Sequence, residues 1–271
     1  MSDIVLSSGV RSNLLELQQT SNLITQTQTR LATGKKVNSA LDNPINYFTA
    51  QGLSVRANDL NSLLDSMSTG INTINAANNG ITAITKLVQA GQALVSEAQQ
   101  TTDTATRATL ASQFDNLLNQ IDQLAGDSGI NGVNLLGGDS LTITMNDAGT
   151  STVTLAGVND SAGGDLSISS AANNWAAGAD ISAAAGDLTT ALTTLRSQSQ
   201  ALSSNLSTVQ IRQDFTKSMI NTLQTGADDL TLADSNEEGA NLLALQTRQQ
   251  LSTTALSLAA QADQNVLKLF Q

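Results

Sequence analysis

Carboxylates are the residues here that could carry chemistry: 23 Asp and Glu stand beside 12 Lys and Arg, with no histidine and no cysteine. Glu237 and Glu238 form an adjacent acidic pair. Acid–base catalysis needs two carboxyls converging on one bond, and adjacent residues on a helix do not face one another, so capping and a solvent-facing role fit this pair better. The stretch 127–187 holds seven aspartates among ten glycines, a composition that a hard cation could use. It has neither EF-hand spacing nor a tandem G-G-x-G-x-D repeat, and scattered aspartates commonly cap turns. Serine and threonine are plentiful but have no basic partner pattern, which leaves no nucleophile. Without cysteine there is no disulfide, thiol nucleophile or thiolate metal site, and without histidine the usual neutral-pH base is gone. The chain reads as a non-enzyme with no catalytic, metal or cofactor-binding residues.

The formal net charge is −11, with no basic stripe to offset it. Phosphate backbones and anionic membrane surfaces are bound through clustered Lys and Arg, so nucleic acid is not an expected partner and surface attachment is disfavoured. No apolar run is long enough to span a bilayer, so no membrane insertion is expected. The amino terminus, MSDIVLSSGVRSNLLELQQ, lacks a basic segment, a continuous apolar core and a small-residue cleavage motif. On these rules alone the chain reads as cytoplasmic.

With so little local chemistry, function must lie in the elements themselves. Aromatic residues are 2% of the chain and proline occurs once, which favours long helices joined along narrow aliphatic seams. Val10, Leu14, Leu17, Ile24 and Leu31 recur in four- and three-residue steps, predicting a helix over roughly 5–33 with Ser21 and Gln28 in the remaining seam positions. Asn43 and Pro44 then read as the cap and first turn of a second helix. Along it Leu60, Leu64, Met67, Ile71, Ile74, Ile81, Val88 and Val95 continue a seven-residue pattern, interrupted by Asn78, Thr85 and Gln92. A helix over about 44–100 would reach roughly 85 Å. Gly52, Gly70, Gly80 and Gly91 count against it unless they permit close contacts or mark bends. A shorter helix is expected after Asp103, carrying Leu110, Phe114, Leu117, Leu118 and Ile121.

In the middle, Leu141, Ile143 and Met145 alternate with polar residues and face Val153 and Leu155 across a turn at Asn146, Asp147 and Gly149, which predicts a hairpin. Leu166 and Ile168 suggest a further short strand, and Trp175 is expected to cover a small core of this segment. Helical spacing returns at Leu188, Leu192, Leu195, Leu202, Leu206 and Val209, with Asp187 as its expected cap and a bend or stop near Gly226. Ser235 and Glu238 have the spacing of a capping box. The last helix carries Leu242, Leu245, Leu256, Ala259, Val266 and Phe270, interrupted by Gln249, Ser252 and Asp263, a stripe too polar to stand without a covering partner. Facing requirements pair the first helix with the last and the long second helix with the one after Asp187. The fold class is mainly α, an elongated antiparallel helical bundle and coiled coil with a small β-containing insert.

At residues 31–50 the run LATGKKVNSALDNPINYFTA resembles the amino-terminal motif of bacterial flagellins, and SNEEGANLLALQTRQQLSTTALSLAAQADQNVLKLF from Ser235 to Phe270 resembles their carboxy-terminal helix. The resemblance covers about the first 125 and last 85 residues. It implies a filament subunit whose residues 1–42 and 230–271 form an inner layer of terminal helices. Residues 43–135 and 183–229 would form a rod with β elements, and 136–182 a short outer insert. Polymer-core and terminal-helix packing then fall to Val10, Leu14, Leu17, Ile24, Leu31, Leu242, Leu245, Leu256, Ala259, Val266 and Phe270. The expected partners are other flagellin subunits, the flagellar export machinery with an export chaperone, and the filament cap and hook-junction proteins. Export through the flagellar channel without a cleaved signal replaces the cytoplasmic reading with an extracellular filament. Some members of the family present a stretch of the long helix to an innate immune receptor. Here KLVQAGQALVSEAQQ keeps Gln89 and Leu94 but has Ala90, Gln92 and Ala93 at three usually charged positions, which implies weak recognition. A soluble coiled-coil adaptor would explain the helices alone, but not the motifs at both ends.

Overall fold

A single proline punctuates the first third of the chain. Asn43 accepts the Asn46 amide through Oδ1 at 3.0 Å, Pro44 occupies the first turn where its missing donor costs nothing, and α2 runs unbroken from Pro44 to Gln100. The computed structural model describes Ser8–Leu269, apart from the side chains of Asp263 and Val266–Leu269. Phe270 lies outside the described residues, and so does the Val266 side chain. The other elements, in chain order, are α1 (Ser8–Thr33), α3 (Thr104–Asp127), strands β1 (Leu141–Thr144) and β2 (Thr152–Leu155), α4 (Gly178–Thr231) and α5 (Ser235–Leu269). The chain divides into two compact units, residues 56–221 and residues 1–55 with 222–271.

In the unit of residues 56–221, α2 and α4 lie antiparallel. Ser68 bonds Gln213 at 2.9 Å, Asn78 bonds Ser199 at 2.9 Å, and Leu188 packs beside Gly91, so residue numbers fall on one helix as they rise on the other. Leu60, Met67, Ile74, Ile81, Val88 and Val95 are buried, and Leu188, Leu195, Leu202 and Val209 answer them from α4. Leu64, Ile71, Leu192 and Leu206 are half-buried at the margins of the same core. The apparent interruptions at Asn78, Thr85 and Gln92 do not break the seam. The second buried row runs one residue earlier, through Gly70, Ala77, Ile84, Gly91 and Ala98.

That row explains glycines which sequence alone would count as weak points. A Cβ at Gly70 would fall into the Ile143 side chain of β1, and one at Gly80 would fall onto Ser128 and 2.7 Å from Leu136. Close approach of the middle segment to α2 therefore requires them, and the helix continues through both. Gly226 likewise does not stop α4, which continues to Thr231. Within the other unit, a Cβ at Gly226 would lie 3.5 Å from Leu53.

Asp103 caps α3 as expected, its carboxylate accepting the Thr106 amide at 2.9 Å. This bond and the Thr106 hydroxyl, the larger cause, hold the Asp103 carboxyl below its ordinary range. The hairpin is also present, antiparallel, with Leu141 opposite Leu155 and Ile143 opposite Val153. Leu166 and Ile168 are buried but do not form a strand. Ser167 between them has φ +51°, and the Ile168 amide turns back to the Ala162 carbonyl at 2.7 Å. Side-chain carboxylates take the place of a neighbouring strand here. Asp122 accepts the Ala162 amide at 2.7 Å and Asp115 the Ala171 amide at 2.8 Å. Asp187 accepts the Ser169 amide at 3.1 Å. Asp115 and Asp122 are seven residues apart on one face of α3, so that face pins the return segment, residues 156–171, at Ala162 and Ala171.

Asp187 is thus no cap. α4 begins earlier, at Gly178, because the turn at Ala172–Trp175 delivers the chain there. Trp175 does not cover a separate small core either. It is fully buried against Phe114, ring centroids 5.1 Å apart, within one continuous cluster that also contains Met67, Ile143, Leu166 and Leu195. Helices α2, α3 and α4 share that core with the middle segment, as expected when short strands cannot bury a face alone.

Candidate functional site

The terminal helices α1 and α5 pack against each other in the unit of residues 1–55 and 222–271. They run antiparallel: Gly34, just after α1, meets Ala233, just before α5, Arg30 bonds Glu238, and a groove lined by both helices continues from there to Leu23 and Leu245. The α5 side reproduces the spacing read from the sequence. Glu238 is buried, and Leu242, Leu245, Gln249, Ser252, Leu256 and Ala259 are half-buried in succession. The two polar members sit on the seam itself, which leaves the pair weakly apolar.

On α1 the seam differs. Val10 and Ile24 are buried and Leu17 is half-buried, but the positions between them are filled by Thr20 and Thr27, 2% and 6% exposed. Leu14 and Leu31 remain 39% and 40% exposed at the edge. Both threonines lie three residues after an apolar seam position, an equally regular helical step, but apolar spacing alone selects the leucines. A threonine carries a methyl group beside its hydroxyl, so it can occupy a seam position that a search for apolar residues passes over.

At one end of the pair a short bridge of main chain ties the connections together. The Ala233 amide donates to Gly34 O at 2.9 Å, and the Lys36 and Val37 amides both donate to Thr231 O, at 2.7 and 3.3 Å. Gly34 makes this approach with φ +69°, where a side chain would strain the backbone. Lys36 Nζ adds a bond to Asp229 O at 3.0 Å. Asp42 folds the following loop by accepting the Ser39 and Asn38 amides at 2.9 and 3.0 Å, which hold its carboxyl below the usual range. The order of the ATGKKVNSALDNP run therefore has a local cause for Gly34, Asn38, Ser39, Asp42 and Asn43 alike.

The expected capping box is replaced. Asp234, just outside α5, accepts the Asn236 and Glu237 amides at 2.8 and 3.3 Å. Glu238 is released from that task and takes Arg30 Nη1 at 3.1 Å, burying its own side chain while Glu237 stays exposed. A buried carboxylate tied to α1 from α5 sets which residues of the two helices lie opposite. Apolar spacing could not show this pairing, because it links residues more than two hundred positions apart.

Among the described residues, all but Ile211 and Phe215 of the fourteen exposed large hydrophobics belong to this unit. On the helix pair they are Leu14, Leu15, Leu23 and Leu31 of α1 and Leu243, Leu251 and Leu258 of α5. Among the described residues no group of three or more Asp or Glu is placed to hold a metal ion, and no helix is long and apolar enough to cross a membrane. What the arrangement can do is associate through leucines that one chain leaves uncovered.

Comparison with known proteins agrees with this geometry. Residues 8–140 match the bacterial flagellin N-terminal helical region and residues 180–270 the bacterial flagellin C-terminal helical region. Flagellin FljM of Caulobacter vibrioides is 31% identical over 280 residues, spanning 100% of this chain and 99% of the relative. Flagellin FljK of the same organism is also 31% identical over 280 residues, with the same coverage of both chains. Flagellin A of Rhizobium meliloti is 42% identical over 81 residues, 30% of this chain and 21% of that one. The crystal structure of Bacillus cereus flagellin aligns with a TM-score of 0.48 at 20% identity, covering 57% of this chain and 88% of its own. Two matched terminal regions and full-length relatives, joined to a fold that brings those termini together, place this chain in the bacterial flagellin family.

Proposed function

We propose that this flagellin polymerises through its terminal helix pair into the extracellular flagellar filament and, as part of that propeller, transmits motor rotation for swimming. The observation that carries the reading is the concentration of exposed leucines on α1 and α5, beside a seam that Gln249 and Ser252 leave weak. In a lattice of copies those leucines are covered, and burial offsets the entropy of ordering the helices. Residues 1–42 and 230–271 then make the inner layer, 43–135 and 183–229 the rod, and 136–182 the short outer part. Val10, Leu14, Leu17, Ile24, Leu31, Leu242, Leu245, Leu256, Ala259, Val266 and Phe270 carry the inner packing. The export machinery with its chaperone, the filament cap and the hook-junction proteins are the further partners of such a subunit.

The test is seeded assembly. Purified monomer incubated with pre-sheared filament seeds should elongate into helical filaments visible by electron microscopy. A fixed dimer at every concentration, with no elongation, would instead support an adaptor that holds two partners apart.

A further inference from the structure

Asp160 lies in the return segment of the 56–221 unit with no exposed surface. Its amide donates to Leu136 O at 2.9 Å, and its Oδ1 accepts Gln198 Nε2 of α4 at 2.8 Å. Beside that bond are two buried oxygens without a donor, Asp160 Oδ2 and Gln198 Oε1. An ionised carboxylate only accepts hydrogen bonds, so it can satisfy neither of them. A neutral carboxyl supplies the missing piece, because it carries one O–H donor. Carboxylic acid and primary amide are complementary partners, with N–H to one oxygen and O–H to the other, and the first half of that pair is in place.

Among the described residues no cation stands close enough to favour the ionised form. Asp165, from the same segment, is the neighbouring charge and has the same sign, while Gln198 presents a neutral amide from α4. Asp122 of α3 is engaged with the Ala162 amide, and among the described residues no ion pair includes Asp160. We propose that Asp160 and Gln198 form a proton-operated clasp: with Asp160 neutral, its Oδ2–H donates to Gln198 Oε1 and closes a second hydrogen bond between the return segment and α4. Loss of the proton opens that bond and leaves a bare carboxylate in the core.

The electrostatics agree with the geometry. Burial pushes the Asp160 carboxyl up to about 6, opposed by the Gln198 bond and assisted by Asp165. The folded chain therefore holds this proton where an unfolded aspartate, at 3.8, has lost it. The resulting stability is fully present below the unfolded value and is lost as pH rises through the folded one.

Full-length monomer should be unfolded in urea alongside Asp160→Asn, which mimics the neutral acid permanently: its oxygen accepts from Gln198 and its amide donates back. Between about pH 7.5 and about pH 4.5, wild type should gain roughly 30-fold in its folded-to-unfolded ratio relative to the variant, which should be the more stable of the two at the higher pH. A gap between them that does not change with pH would overturn the clasp. Should Asp160→Asn fail to fold, the carboxyl carbon-13 shift of Asp160 in wild-type monomer decides. A midpoint near 6 supports the proposal, and one at or below 3.8 refutes it.

Discussion

Replacing Leu251 by Asp separates assembly from folding. Leu251 is 67% exposed in the single chain, so its substitution should change monomer stability by no more than about 0.5 kcal/mol. In a polymer that covers it, the loss is larger. Burying two-thirds of a leucine contributes about 1–2 kcal/mol, and forcing an unpaired carboxylate into the same dry contact costs at least about 2 kcal/mol more. A total near 3 kcal/mol corresponds to roughly a 100-fold rise in the concentration needed to elongate seeds. The assay is sedimentation of polymer over a dilution series of seeded monomer, with far-ultraviolet circular dichroism confirming unchanged helix content. Filaments growing at the wild-type critical concentration would refute the argument that neighbouring copies cover the α5 leucines. Equal loss of helix content in the monomer would refute it from the other side, by showing that Leu251 already serves the isolated fold.

Leu256→Asp attacks the seam between α5 and α1 and should block polymerisation as well, but with loss of helix signal in the monomer, because Leu256 is already half-buried there. Removing one partner of the Arg30–Glu238 pair should be worse than removing both. With Arg30 31% exposed, Arg30→Ala is expected to cost about 1–2 kcal/mol and the double Arg30→Ala, Glu238→Leu variant less, read from thermal unfolding of the terminal unit. Phe114→Ala should cost about 3–5 kcal/mol, lowering the urea midpoint reported by Trp175, the only tryptophan of the chain. Pure monomer should activate the innate immune receptor weakly, since Ala90, Gln92 and Ala93 offer no charge. Activation at the concentrations effective for charged relatives would contradict this.

Much of the helical order was legible because it follows from local rules. Asn43 and Pro44 predict the start of α2, Asp103 predicts that of α3, and the alternation at Leu141–Met145 predicts the hairpin; each depends on neighbours a few residues away. The spacing of the α5 seam was also legible as far as Ala259, since a helix that faces one partner repeats every seven residues, although Gln249 and Ser252 read there as interruptions and are half-buried in it. The α1 and α2 seams were half legible. Apolar spacing gave the seam positions beside Ile24 to Ser21 and Gln28, which are exposed, where their neighbours Thr20 and Thr27 are buried, and it took Asn78, Thr85 and Gln92 as gaps where Ala77, Ile84 and Gly91 face the core. A small or hydroxylated residue gives a weak hydrophobic signal, and whether it is buried depends on how near the opposing backbone comes.

By itself, then, the sequence determined that long helices form, where most of them begin, and that they need partners, because propensity, capping and periodicity act over a few turns. It also carried the two terminal motifs that mark the family. Only the tertiary structure decided that Glu238 leaves its capping role for Arg30 and that Asp115, Asp122 and Asp187 pin the return segment in place of a third strand. It alone decided, too, that α4 starts ahead of Asp187 and that Asp160 meets Gln198. Each of these choices pairs groups far apart in the chain, where the energy of desolvating a polar atom outweighs any local preference.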